Sequence, residues 1–261
     1  MKTTLALIAV LWGLIITQAG ALPTNLVYQQ TFNNTTGNNI FDLLNTYHWA
    51  IHETAVGDLY QVQYGGTAVG SSSGAGAPTG LGTTNGFIFN TSFNNFGGFT
   101  NRRMLAWTWD IASANLLAAD LVMVNWYQGN AETQTINQVA LKINGQWYVS
   151  SNGFNQSVAV SSGANFGTQA EAKSFSFASA TWRILNFDGG TNSNGTFLNM
   201  GGTTTLGSGT VEAIGLYVDG TDASSRRFDS FQVYAIPEPS ALALVGAGLL
   251  ASALLRRRTQ R

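Results

Sequence analysis

The stretch Val139-Ala140-Leu141-Lys142-Ile143-Asn144-Gly145-Gln146-Trp147-Tyr148-Val149 constrains the fold more than any other part of the chain. Asn-Gly suits the two left-handed positions of a type I′ turn, whose twist matches that of the strands it joins. A two-residue loop then fixes the register, with Ile143 opposite Gln146, Lys142 opposite Trp147 and Leu141 opposite Tyr148. That places Lys142 over the Trp147 indole as a cation–π pair, worth about 0.5–1 kcal/mol if exposed. A hairpin pinned this firmly commits its neighbours to antiparallel sheet.

The chain on either side agrees. Between Leu22 and Ile236 short apolar or alternating runs recur between turn residues, which is the pattern of an all-β protein. Strands are expected at 27–32, 49–53, 59–64, 87–89, 103–110, 121–127, 135–143, 147–151, 173–177, 181–186, 211–218 and 226–234. Residues 41–47 and 111–119 each read as a short helical turn. Residues 103–110 and 121–127 are apolar at both parities, which predicts central strands covered on both faces and therefore a sandwich. Residues 65–86, rich in Gly, Ser, Ala and Thr, read as one long loop.

There are no cysteines. A domain without disulfides depends on its core alone. The 215 residues from Leu22 to Ile236 suffice for one large β-domain, with six tryptophans to fill it. That region has seven basic and twelve acidic residues, a net charge of −5, and no basic cluster. Nucleic acid is excluded as a partner, because phosphates require clustered Lys and Arg. The pairs Arg102-Arg103 and Arg226-Arg227 read as solvated or paired with nearby aspartates.

The two ends carry their own signals. Lys2, an apolar core at 5–16 and the small residues Ala19-Gly20-Ala21 form a secretory signal peptide, cleaved by signal peptidase to leave Leu22 first. At the other end Pro237-Glu238-Pro239-Ser240 precedes a 15-residue apolar run, 241–255, and then Arg256-Arg257-Arg258. The run is about 22 Å long as a helix, short for a hydrocarbon core that takes about 20 residues to cross. Its arginines would stay cytoplasmic. The prolines leave an extended stretch at the membrane edge.

The Pro-Glu-Pro motif, the tract containing Gly246 and Gly248, and the arginine cluster together resemble the PEP-CTERM sorting signal of Gram-negative bacteria. That resemblance implies an exosortase-type membrane protease as partner and removal of residues after about Pro237. The domain layout expected is 1–21 signal peptide, 22–235 ectodomain and 236–261 sorting signal with a short membrane helix. The stretch 226–234, with 27–32, 211–218 and the hairpin Gly145-Gln146-Trp147-Tyr148, resembles concanavalin-like jelly-roll domains. The resemblance implies a single antiparallel β-sandwich of jelly-roll topology, with first and last strands close together.

Several constellations bear on chemistry. Gly70-Ser71-Ser72-Ser73-Gly74 matches a nucleophile elbow in letters, but it lies in a Gly/Ser loop and both histidines precede it. His48 and His52 would chelate a metal only on a helix. The alternation of Tyr47, Trp49 and Ile51 reads instead as a strand with both histidines on its solvated face. Glycoside hydrolysis needs two carboxylates across a cleft. Glu53, Glu132, Glu171 and Glu212 stand isolated, so no catalytic residue is assigned and no enzyme is expected. Asp219, Asp222 and Asp229 offer hard oxygen ligands for calcium, but turn chemistry or pairing with Arg226 or Arg227 accounts for them equally, and no cofactor is required.

Glycan contact would use aromatic faces beside polar side chains. The candidates are Trp126, Tyr127, Trp147, Tyr148 and Trp182, with Asn125 and Gln128, against the alternative that these tryptophans are core. The function expected is an exported, exosortase-sorted protein of the envelope or extracellular matrix, structural or adhesive, acting with exopolysaccharide. A lectin-like module is the alternative, and a hydrolase the third reading.

Overall fold

Alternation of apolar and polar residues makes strands the dominant regular structure among the described residues. The computed structural model describes residues 24–32, 44–55, 62–63, 67–71, 86–90, 102–160, 166–191, 193, 195, 198–220 and 226–236. The chain divides into the unit Leu26–Ala235 and a second unit made of its ends, Met1–Asn25 with Ile236–Arg261. The expected signal peptide (Ala19, Ala21, Leu22) and sorting residues (Pro237, Glu238, Pro239, Arg256, Arg257, Arg258) lie outside the described residues. No helix among the described residues is long and apolar enough to cross a membrane.

The strands in chain order are β1 (Asn25–Gln30), β2 (Trp49–Ala55), β3 (Val62–Gln63), β4 (Thr67–Ser71), β5 (Gly86–Asn90), β6 (Arg102–Thr108) and β7 (Leu121–Gln128). They continue with β8 (Ile136–Ile143), β9 (Gln146–Ser150), β10 (Glu171–Ser176), β11 (Trp182–Phe187), β12 (Leu198–Thr204), β13 (Val211–Gly220) and β14 (Arg226–Ala235). Six form one sheet in the order β10-β7-β14-β5-β4, with β1 also on β14. Eight form the other, in the order β12-β11-β9-β8-β13-β6-β2-β3. The first strand therefore pairs with the last. Strands β2 to β14 pair antiparallel, and the architecture is a two-sheet β-sandwich.

The Asn-Gly hairpin forms in the expected register, with Lys142 opposite Trp147 and Ile143 opposite Gln146. Asn144 and Gly145 take φ of 48° and 78°, as a type I′ turn requires. The Lys142 ammonium lies 3.6 Å from Glu212. Two strands were not anticipated. β4 falls inside the stretch read as a loop, and β12 (Leu-Asn-Met-Gly-Gly-Thr-Thr) has two glycines and little alternation. Each forms on the template of a neighbour, β4 on β5 and β12 on β11. The helical turn expected at 111–119 appears as two 3-10 turns, Asp110–Ala114 and Ala118–Asp120.

One core lies between the sheets. Trp49, Ile51, Met104, Val139, Leu141 and Leu216 face it from the larger sheet, and Val124, Trp126, Phe228 and Phe231 from the smaller. β6 is buried at both parities, as expected. β7 is not, because only Leu121, Val124, Trp126 and Gln128 are buried and its other face is half-exposed.

The outer face of the eight-stranded sheet carries a second buried cluster that includes Ala50, Leu105, Trp107, Trp147, Leu185, Leu198 and Tyr217. Curvature buries it. β11 and β2 are five strands apart, about 24 Å in a flat sheet. Yet the ring centroids of Phe187 on β11 and His52 on β2 are 4.7 Å apart. Arg103 on β6 likewise reaches Asn199 on β12, with Nη1 2.8 Å from Oδ1. The sheet curls until its β11–β12 edge closes over its own concave face.

Candidate functional site

The concave face is built on a floor of small residues. Ala50, Trp107, Gly215 and Ala140 lie in one row across β2, β6, β13 and β8. A Cβ on Gly215 would fall 1.9 Å from the Ala106 carbonyl oxygen and 2.6 Å from the Trp107 Cα. Glycine is required there for β13 to approach β6 this closely.

Aromatic rings cover that floor. His48 stacks on Trp109 at 5.6 Å, Trp109 meets Trp107 edge-on at 5.7 Å, and Trp107 meets Trp147 at 5.3 Å. Trp147 contacts Phe187 at 5.7 Å, Phe187 contacts His52 at 4.7 Å, and His52 lies nearly parallel to Trp107 at 6.4 Å. Four of these rings therefore close a circuit, with Trp109 and His48 extending it to the rim. At the rim His48 is exposed, takes φ of 53°, and its Nδ1 lies 2.8 Å from Asp110 Oδ1.

Polar groups surround Leu105 within this face. His52 and Tyr217 lie opposite Leu105 on the two flanking strands, and Arg103 and Trp107 lie two residues to either side of it on β6. Both imidazole nitrogens of His52, the Tyr217 hydroxyl, Arg103 Nε and Trp107 Nε1 are buried without a hydrogen-bond partner. Such an orphaned group costs about 1–3 kcal/mol. Burial lowers the His52 pKa from 6.5 to about 4, with the Gly190 backbone and Asp188 pulling the other way. Burial also raises that of Tyr217, helped by Asp219 and opposed by Arg103, Arg183 and Arg226.

The expected glycan contacts do not form one site. Trp126 and Trp182 point into the core between the sheets, and Trp126 donates to Gln128 Oε1 at 3.1 Å. Trp147 is buried on the concave face, only 2% exposed. Trp126 and Trp182 are core because strand parity turns them inward, and Trp147 is buried because the sheet curls over its outer face. Tyr127 is half-buried against Phe87, Val160 and Phe166 on the other sheet, and Tyr148 is half-buried against the inter-sheet core. Trp107, Trp109, Phe187 and Tyr217 were not singled out from the sequence. The available signal was the apolar pattern of β6 at both parities, which called for a second covered face.

Other expectations need correction. His52 is buried beneath Phe187 rather than solvated, while His48 is exposed as expected. Arg226 and Arg227 are buried rather than solvated. Arg226 pairs with Glu53 at 3.7 Å, and Arg227 donates to the carbonyls of Gly129 (3.3 Å) and Val160 (2.9 Å). Arg102 lies in β6 opposite Gly220 and Ala55. Asp219 lies on β13 and Asp229 on β14, in different sheets, and Asp222 lies outside the described residues. Burial raises the Asp229 pKa well above the usual carboxylate range, although hydrogen bonds from Ser230 oppose this. Among the described residues no group of three or more His, Cys, Asp or Glu is placed to hold a metal.

Among the solved structures similar to the chain are two domains at low identity. One is a family 11 carbohydrate-binding module from Clostridium thermocellum in complex with a beta-1,3-1,4-mixed-linked tetrasaccharide. It is 10% identical, with 78% of this chain and 94% of the module covered and a TM-score of 0.36. The other is a cleaved adhesin domain of Lys-gingipain from Porphyromonas gingivalis. It is 13% identical, with 81% and 99% covered and a TM-score of 0.29. No curated protein matches the chain. The family comparison matches residues 235–258, so that the last residue of β14 runs directly into a PEP-CTERM protein-sorting motif.

Proposed function

We propose that this is an exported protein of the cell envelope or extracellular matrix whose β-sandwich serves a structural or adhesive role alongside exopolysaccharide, without catalysis. The observation that carries the reading is the sorting motif at 235–258, which implies processing by an exosortase and delivery to the cell surface. It abuts β14, so whatever is delivered is the sandwich itself.

Three of the four glutamates between Leu22 and Ile236, namely Glu53, Glu171 and Glu212, support a non-catalytic role. Glu53 is ion-paired with Arg226 inside the sandwich, Glu171 with Lys173 at 2.6 Å, and Glu212 with Lys142. Glu171 also accepts hydrogen bonds from the Ser157 backbone at 2.6 Å and from the Ser157 hydroxyl. Each is occupied with holding the fold rather than facing a partner carboxylate across a cleft.

The lectin-like alternative draws on the concave face, where Trp109, stacked on His48, leads inward to Trp107 and Trp147. Binding of the purified protein to a polysaccharide panel, with calcium and with chelator, decides between the two. A saturable preference for one glycan class favours the lectin. Loss of that binding on chelation would bring calcium back into the account. No glycan binding by a folded protein favours a structural or protein-bound role, and shortening of the polymer over time contradicts both.

A further inference from the structure

The β11–β12 hairpin closes the concave face at two points. Phe187 and Gly189 cover His52, and Asn199 holds Arg103. At the first point the fit is tight. A Cβ on Gly189 would lie 2.6 and 2.7 Å from the Phe187 ring and 3.0 Å from His52 Cε1. The turn that follows is held by Gly190, whose backbone N–H donates to Ser193 Oγ at 3.1 Å. His52 beneath it is fully buried between Trp107 and Phe187, and neither ring nitrogen is hydrogen-bonded.

We infer that residues 187–190 form a proton-released strap, closing the concave face over a neutral His52 and opening at the hairpin tip when that imidazole is protonated, while the sandwich stays folded. The inference concerns regulation of the face named in the lectin-like reading, but its test involves no polysaccharide and stands or falls separately.

The physical argument concerns where a second ring proton would go. A protonated imidazole has two N–H donors and a full charge, and against these the closed face sets only the Gly190 backbone and the Asp188 charge, which desolvation outweighs. Ala50 and Thr54, its neighbours on the same face of β2, bring no charge. The other charged or titratable groups on this face are Arg103 on β6, Tyr217 and Asp219 on β13, Lys142 on β8, Arg183 on β11 and Asp188 just beyond it. Asp188 and the Gly190 backbone favour the proton, and burial opposes it more strongly. Opening the tip hydrates the imidazolium and also gives water to Tyr217, Trp107 Nε1 and Arg103 Nε. The core between the sheets is untouched, because the hairpin is at an edge.

The sign follows from linkage. The closed face holds His52 below its free value, so closure is fully favoured above pH 6.5 and is lost as pH falls from there toward 4. With those two values, acid favours the open tip by about 30-fold at pH 5, approaching about 300-fold at lower pH.

Hydrogen exchange of the full chain in non-ionic detergent, corrected for intrinsic rates, tests this. Protection of the peptide spanning 184–191 should fall about 30-fold between pH 7.5 and pH 5, with β13 and β14 unchanged. His52→Phe keeps a ring between Trp107 and Phe187 but removes the proton site, and should give a flat profile. Gly189→Ala acts from the strap's own side and should expose the tip already at pH 7.5. Unchanged wild-type protection overturns the proposal, and so does loss in β13 and β14 in parallel with the tip. Acid opening of His52→Phe equal to wild type also overturns it, as does wild-type protection in Gly189→Ala at pH 7.5.

Discussion

Glu53 Oε1 and Arg226 Nη1 lie 3.7 Å apart inside the sandwich, so an ion pair joins β2 of one sheet to β14 of the other. Both side chains are buried, at 6% and 1% exposure. Gly220 makes room for the guanidinium, since a Cβ there would lie 2.9 Å from Arg226 Nη2. Removing one member of a buried pair strands the other charge at a cost of about 3–5 kcal/mol, whereas replacing both by apolar residues is often neutral or stabilising. Glu53→Gln should therefore lower the urea midpoint far more than the double change Glu53→Met with Arg226→Met. Equal losses in the two proteins would show that the pair matters through packing alone.

Two glycines of the larger sheet should respond in opposite ways. Gly215→Ala drives a methyl into the Ala106 carbonyl and the β6 backbone, where no flexible side chain can yield. Severe destabilisation or failure to fold is expected, by the overpacking mechanism. Gly202 on edge strand β12 faces open space. Gly202→Ala should be neutral or raise stability by about 0.4–1 kcal/mol through the unfolded chain. Melting temperatures of the two variants, measured side by side, check the contrast.

The residues that announced this fold are those whose information is local. Asn144-Gly145 set a hairpin because both left-handed φ values depend on two adjacent residues. The strand-like runs at 211–218 and 226–234 likewise need no distant partner to be read. β12 escaped because Gly201 and Gly202 carry no pattern, and its order comes from pairing with β11. The concave face escaped for a deeper reason. Periodicity shows that β6 is covered on both sides but not by what, and the cover comes from Phe187 on a strand four places away. His52 was misread in the same way. Its alternation with Trp49 and Ile51 correctly turned it away from the inter-sheet core, and only curvature makes that opposite face an interior. The pairing of Glu53 with Arg226 was illegible because 173 positions separate them.

Two carboxylates should make stability depend on pH in opposite senses. Desolvation pushes Glu171 upward, but hydrogen bonds from Lys173 and Ser157 outweigh it and bring the pKa down from 4.5 to about 2. Its contribution is complete above pH 4.5 and is lost as pH falls toward 2. Asp229 is raised well above 3.8 by burial. Its neutral form is favoured in the fold, so its contribution is present below 3.8 and is lost as pH rises through the elevated value. Asp229→Asn should accordingly stabilise the protein at pH 7, with the Ser230 N–H still accepted by the amide oxygen. Glu171→Gln should flatten the acid limb. Urea midpoints from pH 2 to 8 for wild type and both variants separate the two effects, and a destabilised Asp229→Asn at pH 7 would contradict the assignment.

The junction between sandwich and sorting motif sets the last expectation. Ala235 is the final residue of β14 and still pairs with Leu121 of β7, so the sheet is complete before Pro237. Cleavage after about Pro237 would remove the apolar run and the arginines and leave β14 whole. Protein recovered from the native cell surface should therefore have an intact mass running from Leu22 to about Pro237, and its melting temperature should match that of a chain ended at Ile236. A mass that retains residues 256–261 contradicts the processing. A chain ended at Arg227 should not fold, because it loses Phe228, Phe231 and Val233 from the core along with most of the β14–β7 pairing. If the chain ended at Ile236 is released into the medium while the full chain stays with the cells, the motif and not the sandwich provides retention. Retention of both would assign attachment to the sandwich itself.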